Sequence, residues 1–465
     1  MKFLKLFSLL SLSLLASSLD VDITSETSIC NALTTVVQGV ISYYDGYRPG
    51  GVIGEFVYPY YWWEAGEAWG GLVDVVYFCN NDTWESLTYD ALLYQKGDNS
   101  DYIPSNQSTA EGNDDQGFWG IAAMEAAERN FTNPPSGTAG WLALTQAVVN
   151  TMIARWDSAD CNGGLRWQIF TWNNGYNYKN TVSNGCLFHL SARLARYTSN
   201  DTYVDWATQV WDWLMDVGLI SISGSTYSVY DGTTIESSCK TMTEYEWTYN
   251  YGLLISGCAY LYSYTGNATW LTHIQGLLTT IESNFFNNSI MYERACESSG
   301  TCDNDQKSFK SVFSRFLSQT AILVPDTYDT IRPLIEASAK GAMASCSGTD
   351  SSTGRTNACG VKWTQGSYDG NTGLGQQLSA MEILTSLLVT ANKPSNDSNS
   401  TTSSAVPLSN STGGTSEGNA NAGTDTTKEL AQNDLTITTK DKAGAAVLTT
   451  AVLGIVCGGG LWMLF

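Results

Sequence analysis

The sequence predicts an all-α protein whose helical hairpins follow one another in series and close into an (α/α) toroid. Two amphipathic segments carry the first part of that reading. Trp206, Val210, Trp213, Leu214 and Val217 follow the offsets i, i+4, i+7, i+8 and i+11, and Trp270, Ile274, Leu277, Leu278 and Ile281 repeat them, which is one face of a 3.6-residue period. Alternating polar and apolar runs are scarce, with SISGSTYSVY over 221–230 the best short hairpin. An internal echo supplies the rest. Tyr197-Thr-Ser-Asn-Asp-Thr-Tyr203 recurs as Tyr264-Thr-Gly-Asn-Ala-Thr-Trp270, and Asn81-Asp-Thr-Trp84 is a shorter third copy. Asn and Thr suit turns and N-caps, so each copy reads as the corner of a helical hairpin. Six or seven such hairpins in a ring leave the loops at one end to form a cleft; an irregular bundle with accidental loop similarity is the competing architecture.

Taken in chain order, residues 1–18 combine Lys2 and Lys5, an apolar run through Leu15, and Ala16 and Ser18 at the spacing of a signal peptidase site. That is an export signal, too short to span a bilayer. Residues 19–392 have globular composition, and further helices are expected around Leu142, Ala147, Val148 and Met152, and around Leu374, Leu378, Met381 and Leu388. Residues 393–442 are a Ser/Thr/Asn-rich stalk and spacer, expected to be disordered and O-glycosylated over 401–427. Residues 443–465 are an apolar tail with no basic residues behind it, the pattern of a glycolipid (GPI) anchor signal more than of a retained membrane helix. Asn421-Ala422-Gly423 and Asn433 both present attachment candidates.

Eleven cysteines, ten without Cys457 in the tail, suit disulfides in an exported chain. With two His and no CxxC pair, no metal or other cofactor is expected. Nine Asn-x-Ser/Thr sequons, at Asn81, Asn106, Asn130, Asn200, Asn267, Asn287, Asn396, Asn399 and Asn410, mark surface glycosylation in that setting. A net charge of -22 and a pI near 4.3 argue against a nucleic-acid partner, since no basic stripe neutralises phosphates. Sixteen Trp and 25 Tyr mostly fill a large helical core, but flat rings also stack on sugar faces.

The chemistry concentrates in EGNDDQGFWGIAAMEAAERNF (111–131). Gly112 and Asn113 form a loop and Gln116 onward reads as a helix, so Asp114 and Asp115 sit at its entry. A single Asp there would be a cap. Two in a row repel unless one holds a proton, and glycosidic cleavage with retention uses two carboxyl groups about 5–5.5 Å apart, one nucleophilic and one acid/base. The helix dipole favours one ionised carboxylate, and its neighbour, packed near Phe118 and Trp119, keeps a proton. In Tyr58-Pro-Tyr-Tyr-Trp-Trp-Glu-Ala-Gly-Glu-Ala-Trp69, Trp62, Trp63 and Glu64 are candidates to floor a sugar subsite; a buried aromatic helix with Glu64 paired inside competes. Asn180 and Asn184 in YKNTVSNG, and Tyr249 and Asn250 in WTYNYG, suit hydroxyl recognition or capping equally. His189 lies in an apolar helical run and reads as a core histidine.

With these residues in hand the chain resembles glycoside hydrolase family 76, in particular its fungal cell-wall members of the Dfg/Dcw type. The resemblance runs through YWWEAGEAWG (61–70), DDQGFWG (114–120), GLRWQ (164–168), YKNTVSNG (178–185), WTYNYG (247–252), FKSVFSRFL (309–317) and TQGSYDGNTGLGQQLSAMEIL (364–384). It implies an (α/α)6 enzyme acting on α-1,6-linked mannose, with Asp114 as nucleophile and Asp115 as acid/base. It further implies, as donor, mannan or the mannose core of GPI glycans, a wall glucan as acceptor, and attachment to membrane or wall through a GPI anchor. Two other readings compete: an inverting enzyme pairing Glu64 with one Asp, and a non-catalytic mannan-binding wall glycoprotein in which the Asp pair only caps a helix.

Overall fold

A computed structural model describes residues 18–394, 405–425 and 439–462. The export signal therefore lies outside the described residues except for Ser18, as do the last three residues of the tail.

Twelve helices alternate between two layers: α1 (Glu26–Ile41), α2 (Trp62–Cys79), α3 (Glu85–Tyr94), α4 (Asn113–Glu128), α5 (Trp141–Ala154), α6 (Thr181–Thr198), α7 (Asp201–Val217), α8 (Thr248–Thr265), α9 (Ala268–Asn284), α10 (Asn304–Leu323), α11 (Tyr328–Ser345) and α12 (Leu374–Val389). The even-numbered helices form the inner ring, each packed on the next, and α12 returns to α2 to close it. Burial separates the layers. Every residue of α4 except Asp114 and Asp115 is buried, whereas outer α7 buries only the stripe Tyr203, Ala207, Val210, Trp211, Trp213 and Leu214. A helix apolar all round belongs inside and one with a single apolar face belongs on the rim. Inner helices approach closely through small residues: a Cβ on Gly70 would stand 3.2 Å from the Ala122 Cα.

The echo motif occupies equivalent corners. Asn200 and Asn267 are the N-caps of α7 and α9, each accepting a backbone N–H two residues on, and Asn81 does the same ahead of α3. All three sit where an inner helix ends and an outer one begins. The inner N-termini therefore all point to the opposite end of the ring, where the long loops collect. There β1 (Tyr178–Asn180), β4 (Gly232–Thr234) and β5 (Met242–Thr243) form an antiparallel sheet in the order β1-β4-β5, and β2 (Ile220–Ser223) with β3 (Thr226–Val229) is the hairpin expected over 221–230.

Below the cleft the ring is held by buried ions. Arg193 donates to Glu125 and Glu128 at 2.8 and 2.6 Å, Arg129 to Asp74 at 2.7 Å, and Arg315 to Glu382 at 2.7 Å with Glu67 at 3.2 Å. These pairs tie α2, α4, α6, α10 and α12 together. His189, also here, packs tilted against Phe316 with ring centroids 4.4 Å apart, as a core residue. Four disulfides, Cys30–Cys79, Cys161–Cys239, Cys296–Cys302 and Cys346–Cys359, clip loops and helix ends. Cys186 and Cys258 stay as buried thiols on inner helices, so the even set of ten does not pair completely.

The stalk differs from expectation. Residues 405–425 lie as a strap along the outer wall, with Ala405, Ser409 and Ser416 buried. The physical reason is unfinished helix ends. Gly140, the N-cap of α5, has no side chain to offer; Ser416 Oγ accepts the Leu142 N–H at 3.0 Å and the Glu417 carbonyl that of Ala143 at 3.3 Å. Leu408 N–H donates to the Glu128 carbonyl at the end of α4, and Arg129 and Arg196 donate to the carbonyls of Ala405 and Pro407. A largely polar segment still docks when it satisfies orphan backbone groups and seats its few apolar residues, here Ala405 and Val406, against the core. A further helix, α13 (Thr439–Trp462), follows. Among the described residues no helix is long and apolar enough to cross a membrane.

Replacing Arg315 by Met leaves Glu67 and Glu382 buried without their cation. We expect a loss of about 3–5 kcal/mol, read as a lower urea midpoint at unchanged slope; a change under ~1 kcal/mol would mean the pairs contribute no net stability.

Candidate active site

At the loop end of the ring a cleft of about 650 Å³ opens. Its floor is the start of α4. Segment 111–113 pairs with the loop 165–169: Asn113 N–H donates to the Trp167 carbonyl at 2.8 Å and Ile169 N–H to the Glu111 carbonyl at 3.2 Å. That pairing presents Asp114 and Asp115 at the first helical turn, both lining the cleft and both partly exposed.

Gly112 decides how closely they approach. Asp114 Oδ1 and Asp115 Oδ2 lie 2.2 and 3.1 Å from the position a Cβ on Gly112 would take. The two oxygens are therefore no farther apart than the roughly 5–5.5 Å used in retaining glycosidases. Asp115 Oδ2 accepts the Gly112 N–H at 2.6 Å, so one of the pair does cap the helix. Asp114 is held differently: its Oδ1 is buried and takes no hydrogen bond from the protein, while backbone N–H groups and the Trp167 side chain support the carboxyl group elsewhere.

Burial raises both carboxyl groups. Asp115 is pushed up to about 7, its desolvation partly offset by the Gly112 N–H. Asp114 rises well above the ordinary carboxylate range, because the charge of Asp115 adds to desolvation against only partial support from backbone N–H groups and the Trp167 side chain. Two such groups titrate as a unit that keeps one proton over a wide span of pH. In the resting site the Gly112 N–H places the negative charge on Asp115.

The walls come from every inner helix start but one. Trp62 and Trp63 line one side, steadied by hydrogen bonds from their indole N–H groups to Gln95 Oε1 and Asp305 Oδ1, both 2.8 Å. Tyr249 lines the other, stacked parallel on Phe309 at 3.9 Å. Asn180 also faces the cleft, where its Oδ1 caps α6 by accepting the Ser183 N–H. Six expected residues, Asp114, Asp115, Trp62, Trp63, Asn180 and Tyr249, thus meet in one cavity.

Four do not. Glu64 is buried and accepts the Tyr61 N–H at 2.8 Å, closing the cap of α2, with burial holding its carboxyl well above the usual range. Trp119 lies wholly in the core, sandwiched between Trp62 and Tyr102; it supports the subsite wall from behind. Asn184 is buried and bonds the Leu165 backbone on both edges, so it positions the 165–169 loop. Asn250 is buried inside the ring. Glu64 and Asn184 spend their polar atoms on a cap and on loop backbone, and Trp119 and Asn250 lie on buried helix faces, so a position near a helix start did not by itself mean exposure.

Sequence reasoning missed Glu55, Glu111, Trp167, Gln168, Tyr178, Asp231, Asp305 and Phe309, all at the cleft. Glu111, Trp167, Gln168, Tyr178 and Phe309 stood inside motifs already singled out, but Glu55, Asp231 and Asp305 lay outside every motif and carried no signal. Burial pushes Asp305 up to about 6. Six carboxyl groups and no Lys or Arg line the cavity, which suits an uncharged or cationic ligand and repels anions.

Comparison with known proteins identifies the family. The model of Glycosyl hydrolase family 76 matches residues 28–399. The chain is 50% identical to mannan endo-1,6-alpha-mannosidase DFG5 of Saccharomyces cerevisiae over 99% of this chain and 97% of that protein, and 50% identical to DCW1 of Candida albicans, covering 95% of each. The crystal structure of Dfg5 from Chaetomium thermophilum in complex with glucosamine superposes with a TM-score of 0.79 at 37% identity, over 86% of this chain and 97% of that one. An inactive variant of the α-1,6-mannanase GH76A of Salegentibacter, in complex with α-1,6-mannotetrose, shares the fold at TM-score 0.62 and 16% identity, over 78% and 99%. A toroid that gathers a closely spaced carboxyl pair at the floor of an aromatic cleft, matched over most of its length by one family model, is a glycoside hydrolase, and the chain belongs to glycoside hydrolase family 76.

Proposed function

We propose that the cleft cleaves α-1,6-linked mannosides with retention of configuration, on mannan or on the mannose core of a GPI glycan. The convergence of Asp114 and Asp115 on Gly112 carries this reading, because a separation this short leaves no room for a water between carboxylate and sugar. The mannan endo-1,6-alpha-mannosidase names of the fungal relatives support the substrate class. Family membership displaces the non-catalytic mannan-binding alternative, and the inverting alternative loses its base with Glu64 in the core.

Asp114 attacks C1 of the mannosyl unit as Asp115 delivers its proton to the departing glycosidic oxygen; the C1–O bond breaks and an ester to Asp114 forms. An incoming hydroxyl then gives its proton to Asp115 and takes C1 from Asp114. These roles place the shared proton on Asp115, the reverse of the resting order. The transition state supplies the reason: positive charge developing at C1 as the bond breaks is stabilised by ionised Asp114, so reaction proceeds through the form with the proton on Asp115. A sugar hydroxyl as acceptor makes the reaction a transglycosylation, and we extend the proposal to transfer of GPI-linked chains to wall glucan by an exported enzyme held at the outer surface through its own GPI anchor.

Incubation with a GPI-core glycan and a glucan oligosaccharide, products read by mass and the first anomer by proton NMR, tests the whole reading. A β-anomer as first product, or no cleavage of any α-1,6-mannoside, would overturn it. Asp114→Asn and Asp115→Asn each lower kcat by at least ~10³-fold. A substrate with an activated leaving group restores the first step in Asp115→Asn alone; equal recovery in both variants contradicts the assigned roles. Gly112→Ala, whose methyl would overlap Asp114 Oδ1, lowers kcat by about 10²-fold while the far-ultraviolet spectrum stays unchanged.

The pair also makes stability depend on pH. A carboxyl raised on folding binds its proton more tightly in the folded state, so its cost is absent below the unfolded value near 4 and grows as pH rises through about 7 for Asp115. Asp115→Asn should therefore raise Tm more at pH 8 than at pH 4. Equal shifts at both pH values would show that Asp115 is not raised.

A further inference from the structure

The strap is latched by a residue that is also a glycosylation sequon. In Asn130-Phe131-Thr132, Asn130 Nδ2 donates to the Gly413 carbonyl at 2.9 Å, while its Oδ1 accepts the Thr415 N–H at 2.9 Å and the Thr415 hydroxyl at 3.1 Å. Asn133 adds a bond to Thr415 Oγ1 at 3.0 Å. The strap therefore runs along one edge of the Asn130 amide, and the hydrogen given to Gly413 is the one beside Oδ1. A sugar on Nδ2 turns the side chain into a secondary amide. Its planar trans form places the substituent beside the oxygen, in the place of that hydrogen. The sequon asparagines at the hairpin corners, Asn81, Asn200 and Asn267, cap through Oδ1 alone in the hydrogen bonds given above, a use that an N-linked sugar leaves intact.

We propose that N-glycosylation of Asn130 and docking of residues 405–425 exclude one another, so that occupancy of this one sequon decides whether the C-terminal segment is a strap fixed to the toroid or a free tether. The inference rests on the export proposed above, because N-glycans are added to exported chains. Asn130 is synthesised long before residue 415, so the choice falls before the strap exists. A released segment of this length lengthens the connection to whatever follows it by on the order of 25 Å. Without the strap, the N–H groups of Leu142 and Ala143 and the Arg129 guanidinium turn to water for their partners.

The test uses the full chain from an exporting eukaryotic host, with Asn130 occupancy mapped by mass and hydrogen exchange of 405–425 followed on the occupied and unoccupied molecules separately. Unoccupied molecules should protect Leu408, Ala143 and Thr415 amides at least ~10-fold more than occupied ones, and Thr132→Ala, which removes the sequon and keeps the amide, should show only the protected form. Occupied molecules with a protected strap overturn the proposal. Asn130→Asp keeps Oδ1 but loses the donor, and should speed exchange at Thr415 in protein free of any sugar; unchanged exchange there removes the latch. If no sequon carries a glycan the export reading fails by itself, and the Asn130→Asp comparison still decides the latch.

Discussion

Two carboxyl groups pressed against one glycine cannot both ionise in a poorly solvated cleft, and the ring is arranged to keep them there. Gly112 lets the oxygens approach because nothing projects between them. Its N–H steadies one charge, and pairing of 111–113 with 165–169 prevents the loop from relaxing outward. The repulsion is thus held by backbone hydrogen bonds and by a helix whose other residues are all buried. A single proton shared by such a pair leaves one carboxyl neutral and one ionised within one local sequence.

Beneath that pair the interior is unusually ionic. Three arginines and five carboxylates on the inner helices face one another with almost no exposure. Their directional bonds fix how the helices are rotated, which hydrophobic packing alone leaves adjustable by small amounts. Rotation matters here because the cleft is made of side chains from the first turns of α2, α4, α6, α8 and α10. Trp63 and Asp305, from α2 and α10, meet at 2.8 Å only if both helices hold their register.

The strap shows a different economy. A segment poor in apolar residues stays on the surface because two helix ends leave backbone groups open, two arginines have donors to spare, and its first residues, Ala405 and Val406, pack against the core. Composition argued for disorder by counting what the segment can bury. It could not count what the toroid leaves unsatisfied, since those groups come from residues nearly 300 positions away.

The helical class, the hairpin corners, the 221–230 hairpin and the Asp114–Asp115 pair were all legible in the sequence, because each depends on neighbours within one or two turns. Periodicity reports which face of a helix is apolar, and Asn-x-Thr corners report where it starts. Family motifs extended this to the ring. Which polar residues face the cleft depended instead on the rotation of each helix about its own axis and on partners far along the chain. Glu64, Asn184 and Asn250 share the polarity of Asn180, yet the turn that sends Asn180 to the cleft sends them into the core. Asp231 and Asp305 became site residues only when tertiary packing brought the loop of one and the first turn of α10 carrying the other beside Tyr178 and Trp63. Local sequence determined the helices and the acid pair; tertiary closure decided what surrounds that pair, because long-range contacts set the orientation of side chains whose local preferences are the same.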